Sequence, residues 1–313
     1  MPFSVSAESL SSTASPKFLI GPITEGSQGM LYGPPGVGKT LLAMELALGL
    51  ASGASRLHHP DTISAPQWKA PSPSSVLYVA GEMHNAELAK RIDLGGKRAL
   101  AGRFHLLSNA MLWHSQKQTI NIAEKGGQDL VMTEALACGA SLVVLDNLDT
   151  LTKNIDENSK TEVSIINEWL LTFRYSNIAV LQVHHESKAG SPRGSGVRST
   201  PLDYQIRLAN AALDLPDDAP PGANFNVSFS KVREDLGRTV RPFNMALEAS
   251  SWAFSTPLQS RLEHLLSIME AVGEWHPHDI AREMDVSLSH VYRLRDRARE
   301  AGRWPWSKKI AKL

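Results

Sequence analysis

One segment of this 313-residue chain constrains its fold more than any other. It is the stretch from Met30 to Leu50, MLYGPPGVGKTLLAMELALGL, which joins two apolar runs through a glycine-rich turn. Glycines let backbone N–H groups converge on phosphate oxygens, and a helix that follows adds its positive N-terminal end. The pattern therefore predicts a strand, a phosphate-binding loop and a buried helix, the first unit of an α/β domain that binds a nucleoside triphosphate.

Eight consecutive residues form the predicted loop: Gly33, Pro34, Pro35, Gly36, Val37, Gly38, Lys39 and Thr40. We expect Lys39 to reach the β- and γ-phosphates of ATP. The hydroxyl of Thr40 is the expected ligand of the Mg²⁺ ion that bridges the same phosphates.

Asp146 is the second expected magnesium ligand. It follows four apolar residues, Leu142 to Leu145, and a buried strand that ends in an aspartate usually accompanies a phosphate-binding loop. The alternative is that the Asp146 carboxylate only caps a helix.

Glu82 is the candidate for activating water. It follows Val76 to Ala80, a short apolar run typical of a strand that is buried on both faces of a parallel sheet. Doubly wound sheets bind ligands at the carboxyl ends of such strands. Glu82 is therefore placed to polarise the water that attacks the γ-phosphate, and the alternative is an exposed loop acid without a chemical role.

A fourth apolar run, Ile178 to Val183, ends at His184 and His185. Polar groups at this strand end can contact the γ-phosphate and change position on hydrolysis. Because neighbouring residues of a strand point to opposite faces, we expect at most one of the two histidines to do so.

The segment from His184 to Thr200, HHESKAGSPRGSGVRST, consists of small, polar and basic residues. This composition suits a flexible loop that contacts a phosphate backbone, with Lys188, Arg193 and Arg198 as the DNA-binding candidates. A loop that is merely solvated is the alternative. Beyond it the sequence predicts three closing strands at Ala211–Leu215, Asn226–Val232 and Phe243–Leu247.

The last part of the chain, from residue 256, predicts three helices in a helix-turn-helix arrangement. In its third helix Val291, Leu294 and Ala298 form the inward stripe, which leaves Arg293 and Arg297 outward as DNA-binding candidates. The stretch from Leu288 to Leu313 has eight basic residues against two acidic ones, so phosphate contact is favoured. The alternatives are a packing module that supports subunit assembly and a surface for a replication protein. Trp304 and Trp306 are expected in a wing or under the helices.

Composition limits the other function classes. The 32 basic and 32 acidic residues balance, so global charge indicates neither a nucleic-acid nor a membrane partner. The single cysteine, Cys138, excludes a disulfide framework, and no apolar run reaches the length of a membrane span. We expect a cytoplasmic protein with a disordered leader (1–16), an ATPase domain (17–255) and a C-terminal helix-turn-helix domain (256–313).

The order of these motifs resembles that of the RecA-type ring ATPases, in particular the RepA-like replicative helicases of plasmids and their DnaB relatives. GPPGVGKT is similar to the phosphate-binding loop of the family, and the Gly81-Glu82-Met83 segment is similar to the one that contains the catalytic glutamate. LVVLDNLDTL resembles the second acidic motif, and VLQVHHESK resembles the RepA strand that ends in paired histidines. By this match His185 takes the place of the γ-phosphate sensor. Arg207 resembles the RepA arginine finger, and Lys231 and Arg233 are similar to the paired cations of DnaB.

The resemblance implies a RecA-like core with a mostly parallel twisted sheet and a small all-α, winged-helix-like domain after it. It also implies a homo-oligomeric ring, expected to be a hexamer, that uses ATP and Mg²⁺ to move along single-stranded DNA in its channel and to unwind duplex during replication. Arg207, Lys231 and Arg233 would complete the ATP site of a neighbouring subunit. The rival functions are a DNA-binding regulator that ATP switches and a recombinase-like or loader ATPase, either of which would read duplex DNA through the C-terminal helices.

Overall fold

The computed structural model describes most of the chain. The described residues are 4, 15–58, 66–94, 96–156, 159–187, 190–193, 196–211, 224–233, 236–248, 251–272, 274–284 and 286–304. Nearly all of the predicted leader (1–16) therefore lies outside them. No helix within these ranges is long and apolar enough to cross a membrane.

Eleven strands and nine α-helices make up the described part of the chain. The strands are β1 (Phe18–Ile20), β2 (Ile23–Thr24), β3 (Gln28–Gly33), β4 (Val76–Ala80), β5 (Phe104–Ser108), β6 (Leu142–Asp146), β7 (Ala179–His185), β8 (Tyr204–Asn210), β9 (Asn224–Val232), β10 (Phe243–Glu248) and β11 (Ser251–Ser255). The helices are α1 (Lys39–Ser52), α2 (Asn85–Leu94), α3 (Asn109–Gln116), α4 (Lys125–Ala137), α5 (Leu148–Leu151), α6 (Lys160–Tyr175), α7 (Pro257–Val272), α8 (Pro277–Glu283) and α9 (Leu288–Glu300).

Nine of the strands form one sheet in the order β11-β10-β9-β8-β3-β7-β6-β4-β5. The six strands from β8 to β5 are parallel to one another. The other three, β9 to β11, extend the sheet as antiparallel strands. The predicted α/β class with a mostly parallel sheet is confirmed.

Helices cover both faces of this sheet. Leu31 of β3 faces α1, whose residues 41–51 are all buried, as the apolar sequence predicts for a helix without a solvent face. Met30 and Tyr32, on the opposite face of β3, pack in a second core with α4 and α6. The parallel strands are therefore buried on both sides, which explains their continuous apolar runs.

One predicted strand lies almost entirely outside the described residues, and four strands of the structure, β1, β2, β8 and β11, are not among the predicted ones. Apart from Ala211, the strand expected at Ala211–Leu215 lies outside the described part of the chain, and the described strand that precedes it is β8. In β8 the buried Tyr204, Ile206 and Leu208 alternate with Gln205 and Arg207, the period-2 pattern of a strand. The unpredicted strand β11 contains Trp252, whose indole N–H donates a 3.1 Å hydrogen bond to Glu45 in α1.

The helices α7, α8 and α9 share an apolar core that is separate from both cores of the sheet. Val291, Leu294 and Ala298 are fully buried in it, as predicted. Trp304 also packs there, and residues 305–313 lie outside the described part of the chain. The wing and the exact domain boundaries (1–16, 17–255 and 256–313) stay predictions.

Candidate active site

The site lies where the carboxyl ends of four parallel strands meet. The pairing aligns Gly33 of β3 with His185 of β7, and Ala80 of β4 with Asp146 of β6. Because β6 also pairs with β7, the four strand ends lie side by side. Residues that are more than a hundred positions apart in the sequence therefore line one edge of the sheet.

Three glycines shape the loop after β3. Gly36 and Gly38 have φ angles of 75° and 109°, a backbone region that favours glycine. A Cβ atom on Gly33 would lie 2.5 Å from the carbonyl oxygen of Leu208, so this position requires the smallest residue. No side chain caps the N-terminus of α1, which begins at Lys39. Its first N–H groups thus stay open to an anion.

Lys39 is folded back onto its own loop. Its Nζ donates to the carbonyl oxygens of Gly33 at 3.0 Å and Pro34 at 2.9 Å, and it lies 3.3 Å from Nδ1 of His185. Burial lowers the pKa of Lys39, and the nearby carboxylates, Asp146 first, oppose this shift only in part. The ammonium group is therefore held beside the loop, within reach of a phosphate that would replace the two carbonyl contacts.

Thr40 and Asp146 supply a donor set that fits Mg²⁺. Asp146 is buried, and its carboxylate accepts hydrogen bonds from the Thr40 hydroxyl and, at 2.6 Å, from the Tyr78 hydroxyl. Burial raises the pKa of Asp146 despite these bonds, so its negative charge is incompletely compensated within the chain. Hydroxyl and carboxylate oxygens are the ligands that Mg²⁺ prefers, and a bound cation would supply the missing charge.

Glu82 lies two residues after the end of β4 and is held by Asn147. The Asn147 amide nitrogen donates a 2.6 Å hydrogen bond to Oε2 of Glu82, while its Oδ1 accepts from the backbone N–H of Thr150 at 3.1 Å. Asn147 is buried and caps α5, so its amide has a fixed orientation. The Glu82 side chain itself is exposed and open to water.

Asp149 is the centre of a network that joins both histidines to the basic loop. One carboxylate oxygen lies 2.8 Å from Nδ1 of His184, and the other lies 3.8 Å from Nε2 of His185 and 3.3 Å from Nη1 of Arg193. Burial alone would raise the pKa of Asp149, but the contact with His184 and the neighbouring His185 and Arg193 outweigh it, so its pKa is lowered.

The two histidines differ in position, in accord with their alternation along β7. His184 is fully buried, with Nε2 2.9 Å from the carbonyl oxygen of Arg193. His185 is partly exposed beside Lys39, and burial, followed by the charge of Lys39, lowers its pKa. In its neutral form, with the ring proton on Nε2, His185 can accept a hydrogen bond from the Lys39 ammonium group at Nδ1.

Two of the three cations expected to act on a neighbouring subunit, Lys231 and Arg233, are not in this cluster. Arg207 lies at its edge, because it is paired with Tyr32 of β3 next to Gly33, and it makes a 2.7 Å ion pair with Glu186 of its own chain. Lys231 donates to the Ser199 carbonyl at 2.7 Å, and Arg233 donates to the Thr200 carbonyl at 2.5 Å. Burial, followed by the charge of Arg233, lowers the pKa of Lys231.

The expected DNA-binding residues of the basic loop have different surroundings. Arg193 is half exposed at the edge of the Asp149 network, and Lys188 lies outside the described residues. For Arg198 the prediction does not hold in this conformation, because the residue is only 2% exposed within the turn Gly196–Ser199 and is shielded from a phosphate backbone. In the C-terminal helices, Arg293 and Arg297 are both exposed.

Sequence reasoning missed three residues of this site, namely Tyr78, Asn147 and Asp149. Asn147 and Asp149 are polar residues that follow the end of β6 in the LDNLDTL stretch, and this position beside the predicted magnesium ligand Asp146 could have indicated them. Tyr78 gave no signal, since an aromatic residue inside a strand is ordinary core composition.

The family profile described as AAA domain (AAA_25) matches residues 1–191, more than half of the chain. Among solved structures, a KaiC-like protein from the hyperthermophilic archaeon Pyrococcus horikoshii OT3 superimposes with a TM-score of 0.52 at 13% identity, covering 74% of this chain and 90% of its own. At this identity the likeness concerns the fold alone. No match was found among curated proteins. The chain therefore belongs to the AAA_25 family of AAA domains, and it is a P-loop ATPase with a RecA-like fold.

Proposed function

We propose that this ATPase is a DNA helicase of the RepA-like type, a homo-oligomeric ring that moves along single-stranded DNA and unwinds duplex during replication. The observation that carries the proposal is the chain of contacts Lys39–His185–Asp149–Arg193. It joins the phosphate-binding lysine to a basic loop through three side-chain contacts of 3.3, 3.8 and 3.3 Å. A change at the γ-phosphate can therefore reach a surface that binds a phosphate backbone.

The hydrolytic step follows from the placement of the side chains. Glu82 accepts a proton from water as the water oxygen attacks the γ-phosphorus, and the bond from that phosphorus to the bridging oxygen of ADP breaks. Lys39 and the N-terminal N–H groups of α1 balance the charge of the phosphate oxygens. Mg²⁺, held by Thr40 and Asp146, would neutralise the β- and γ-phosphates when bound. His185 responds to the loss of the γ-phosphate through its contact with Lys39.

A ring is supported by the position of Lys231 and Arg233. The backbone N–H of Arg233 donates to the carbonyl oxygen of Asp203. The backbone N–H of Asp203 in turn donates to the carbonyl oxygen of Gln28, the first residue of β3. The phosphate-binding loop begins at the other end of β3, about 16 Å away at roughly 3.3 Å per residue. These cations lie too far away to serve their own loop, so a role in hydrolysis requires a neighbouring subunit. Repetition of such a heterologous contact closes a ring.

A forked-duplex assay with ATP tests the helicase. We expect strand displacement by the wild type and none by Lys39→Ala, while Lys90→Ala, an exposed lysine on α2, serves as the matched control. Native mass measurement of the same samples gives the number of subunits, which we expect to be six. Hydrolysis without displacement by the wild type would rule out the helicase.

The second candidate is a DNA-binding regulator or recombinase-like loader whose ATPase core acts as a switch. It is favoured by the three C-terminal helices, which have a core of their own and an exposed basic face. This candidate predicts that ATP changes the affinity for one duplex sequence and that no strand is displaced. The forked-duplex assay therefore also separates the two functions.

A further inference from the structure

The outer face of α9 has a row of polar residues that do not pack in the core of the bundle. Ser289, Arg293 and Arg297 are exposed and follow one another at intervals of four residues, so they lie on one side of the helix. The opposite side is buried against α7 and α8. Packing therefore explains only the inner face of this helix.

Other arginines of the bundle are neutralised or stacked. Arg295 makes a 2.6 Å ion pair with Asp296 and lies 4.8 Å from the centre of the Tyr292 ring. Arg303 pairs with Glu263, and Arg282 pairs with Asp279 at 3.0 Å. By contrast, Arg261, Arg293 and Arg297 have no carboxylate partner among the residues that the structure describes.

Two of these unpaired cations converge on one histidine. Nη1 of Arg261 lies 3.5 Å from Nε2 of His290, and Nη2 of Arg293 lies 3.4 Å from Nδ1 of the same ring. A neutral imidazole accepts a hydrogen bond at only one nitrogen, so the ring cannot satisfy both guanidinium groups. Burial, followed by the charges of Arg261 and Arg293, lowers the pKa of His290, as expected where positive charge accumulates. An anion at this place would relieve the repulsion.

We propose that Arg261, His290, Arg293 and Arg297 bind the phosphate backbone of duplex DNA, with α9 lying in the major groove. The helix is about 20 Å long and 10–12 Å wide, and the groove is about 12 Å wide. It is also the second helix of a helix-turn-helix, the one that enters the groove in such proteins. This site goes beyond the proposed helicase, which requires only single-stranded DNA, and it names the residues of the basic face that the second candidate function would use.

Duplex is favoured over single-stranded DNA by the aromatic residues of the bundle. Sites for single strands stack bases on exposed aromatic rings. Here Trp275 packs edge-on against Tyr292 and Trp304, and arginines lie over all three rings. The face with the unpaired cations has no aromatic ring that is available to a base among its described residues.

The test is fluorescence anisotropy of the full-length protein with a mixed-sequence duplex of about 30 bp, without nucleotide, between about 50 and 200 mM salt. We expect the double variant Arg293→Ala/Arg297→Ala to bind about tenfold or more weakly, with a salt slope lower by about 2. Arg282→Ala, an exposed but paired arginine on α8, is the matched control and should bind within twofold of the wild type. Alanine favours helix, so the variants should fold, and circular dichroism verifies this.

Three outcomes would overturn the proposal. They are equal duplex binding by the double variant and the wild type, a loss confined to a single-stranded probe, and a change in oligomer mass without a change in duplex binding. The last outcome would indicate an assembly surface. Hydrolysis stimulated by single-stranded DNA is measured on the same variants, so a failed helicase and a failed duplex site are distinguished.

Discussion

The amide nitrogen of Asn147 donates a 2.6 Å hydrogen bond to Oε2 of Glu82, and this bond joins the ends of two neighbouring strands. The amide is fixed from its other side by the N–H of Thr150. The rest of the Glu82 side chain is exposed, so the hydrogen bond from Asn147 orients its carboxylate. We infer that Asn147 is a positioning residue for Glu82, the glutamate proposed to activate water.

Asn147→Ala should lower kcat for ATP hydrolysis about tenfold while the KM for ATP changes less than twofold, because Asn147 aligns the base without contacting Lys39 or Thr40. Glu82→Gln should cost about 10²–10⁴ in kcat, the usual contribution of a general base. Steady-state phosphate release measures both variants. A rise in KM without a fall in kcat would contradict the positioning role.

The Asp149 network predicts that the stimulation of ATP hydrolysis by DNA can be lost while unstimulated hydrolysis is kept. Asp149→Asn removes the charge that holds Arg193 and His185, so the ratio of DNA-stimulated to unstimulated hydrolysis should fall toward one. Asp129→Asn on α4 is an exposed control that should keep the ratio. If the two residues form one network, the double variant Asp149→Asn/Arg193→Ala should lose no more than either single variant. Additive losses would show that they act separately.

His185 predicts a pH dependence of stability. Its pKa is lowered in the folded chain, so at a pH below about 6.5 the unfolded chain binds more protons and the free energy of unfolding decreases. His185→Gln removes this titration. Its free energy of unfolding, measured with urea, should fall less between pH 7 and pH 5 than that of the wild type. Parallel curves for the two proteins would show that His185 titrates normally.

Substitutions at two glycines test a steric effect and a helix-propensity effect on stability separately. A Cβ on Gly29 would lie 1.9 Å from the Tyr204 ring, whereas one on Gly126 in α4 would meet no atom within 4 Å. Gly29→Ala should therefore lower the free energy of unfolding by about 1–3 kcal/mol or more. Gly126→Ala should raise it by about 0.4–1 kcal/mol, because alanine favours helix. Denaturant titration compares the two variants directly.

The sequence predicted the elements that strong local patterns define. The loop before Lys39, the apolar runs that end at Glu82, Asp146 and His185, and the inward stripe of α9 all have a fixed period or glycine spacing. Local patterns contain little information about long-range partners. That Asp149 contacts both histidines depends on β6 lying next to β7 in the sheet, and this neighbourhood is set by packing.

Strand β8 illustrates the same point. Its apolar residues alternate with polar ones, so it lacks the continuous apolar run of the other parallel strands, and its pairing with β3 is a long-range contact. Arg198 illustrates the same limit. A basic residue in a polar loop is expected to be exposed, yet the turn that contains it packs against α6 and encloses the side chain.

Arg207 gives a test of the subunit boundary. In this structure it is paired with Glu186 of its own chain, so a role as a finger requires that the pair opens when a neighbour binds ATP. Mixing Glu82→Ala with Arg207→Ala subunits should restore part of the hydrolysis, since some interfaces then combine an intact Glu82 with an intact Arg207. A finger contributes about 10³–10⁵ in rate, so even partial restoration is measurable.

Glu186→Gln is the matched control for this experiment. If Arg207 serves only to hold Glu186, both single variants should lose activity and stability equally, and mixing should restore nothing. If Arg207 acts on a neighbour, Glu186→Gln should keep hydrolysis, because releasing the guanidinium makes it more available. Normal DNA-stimulated hydrolysis by Arg207→Ala alone would leave Lys231 and Arg233, which lie far from their own loop, as the residues that act between subunits.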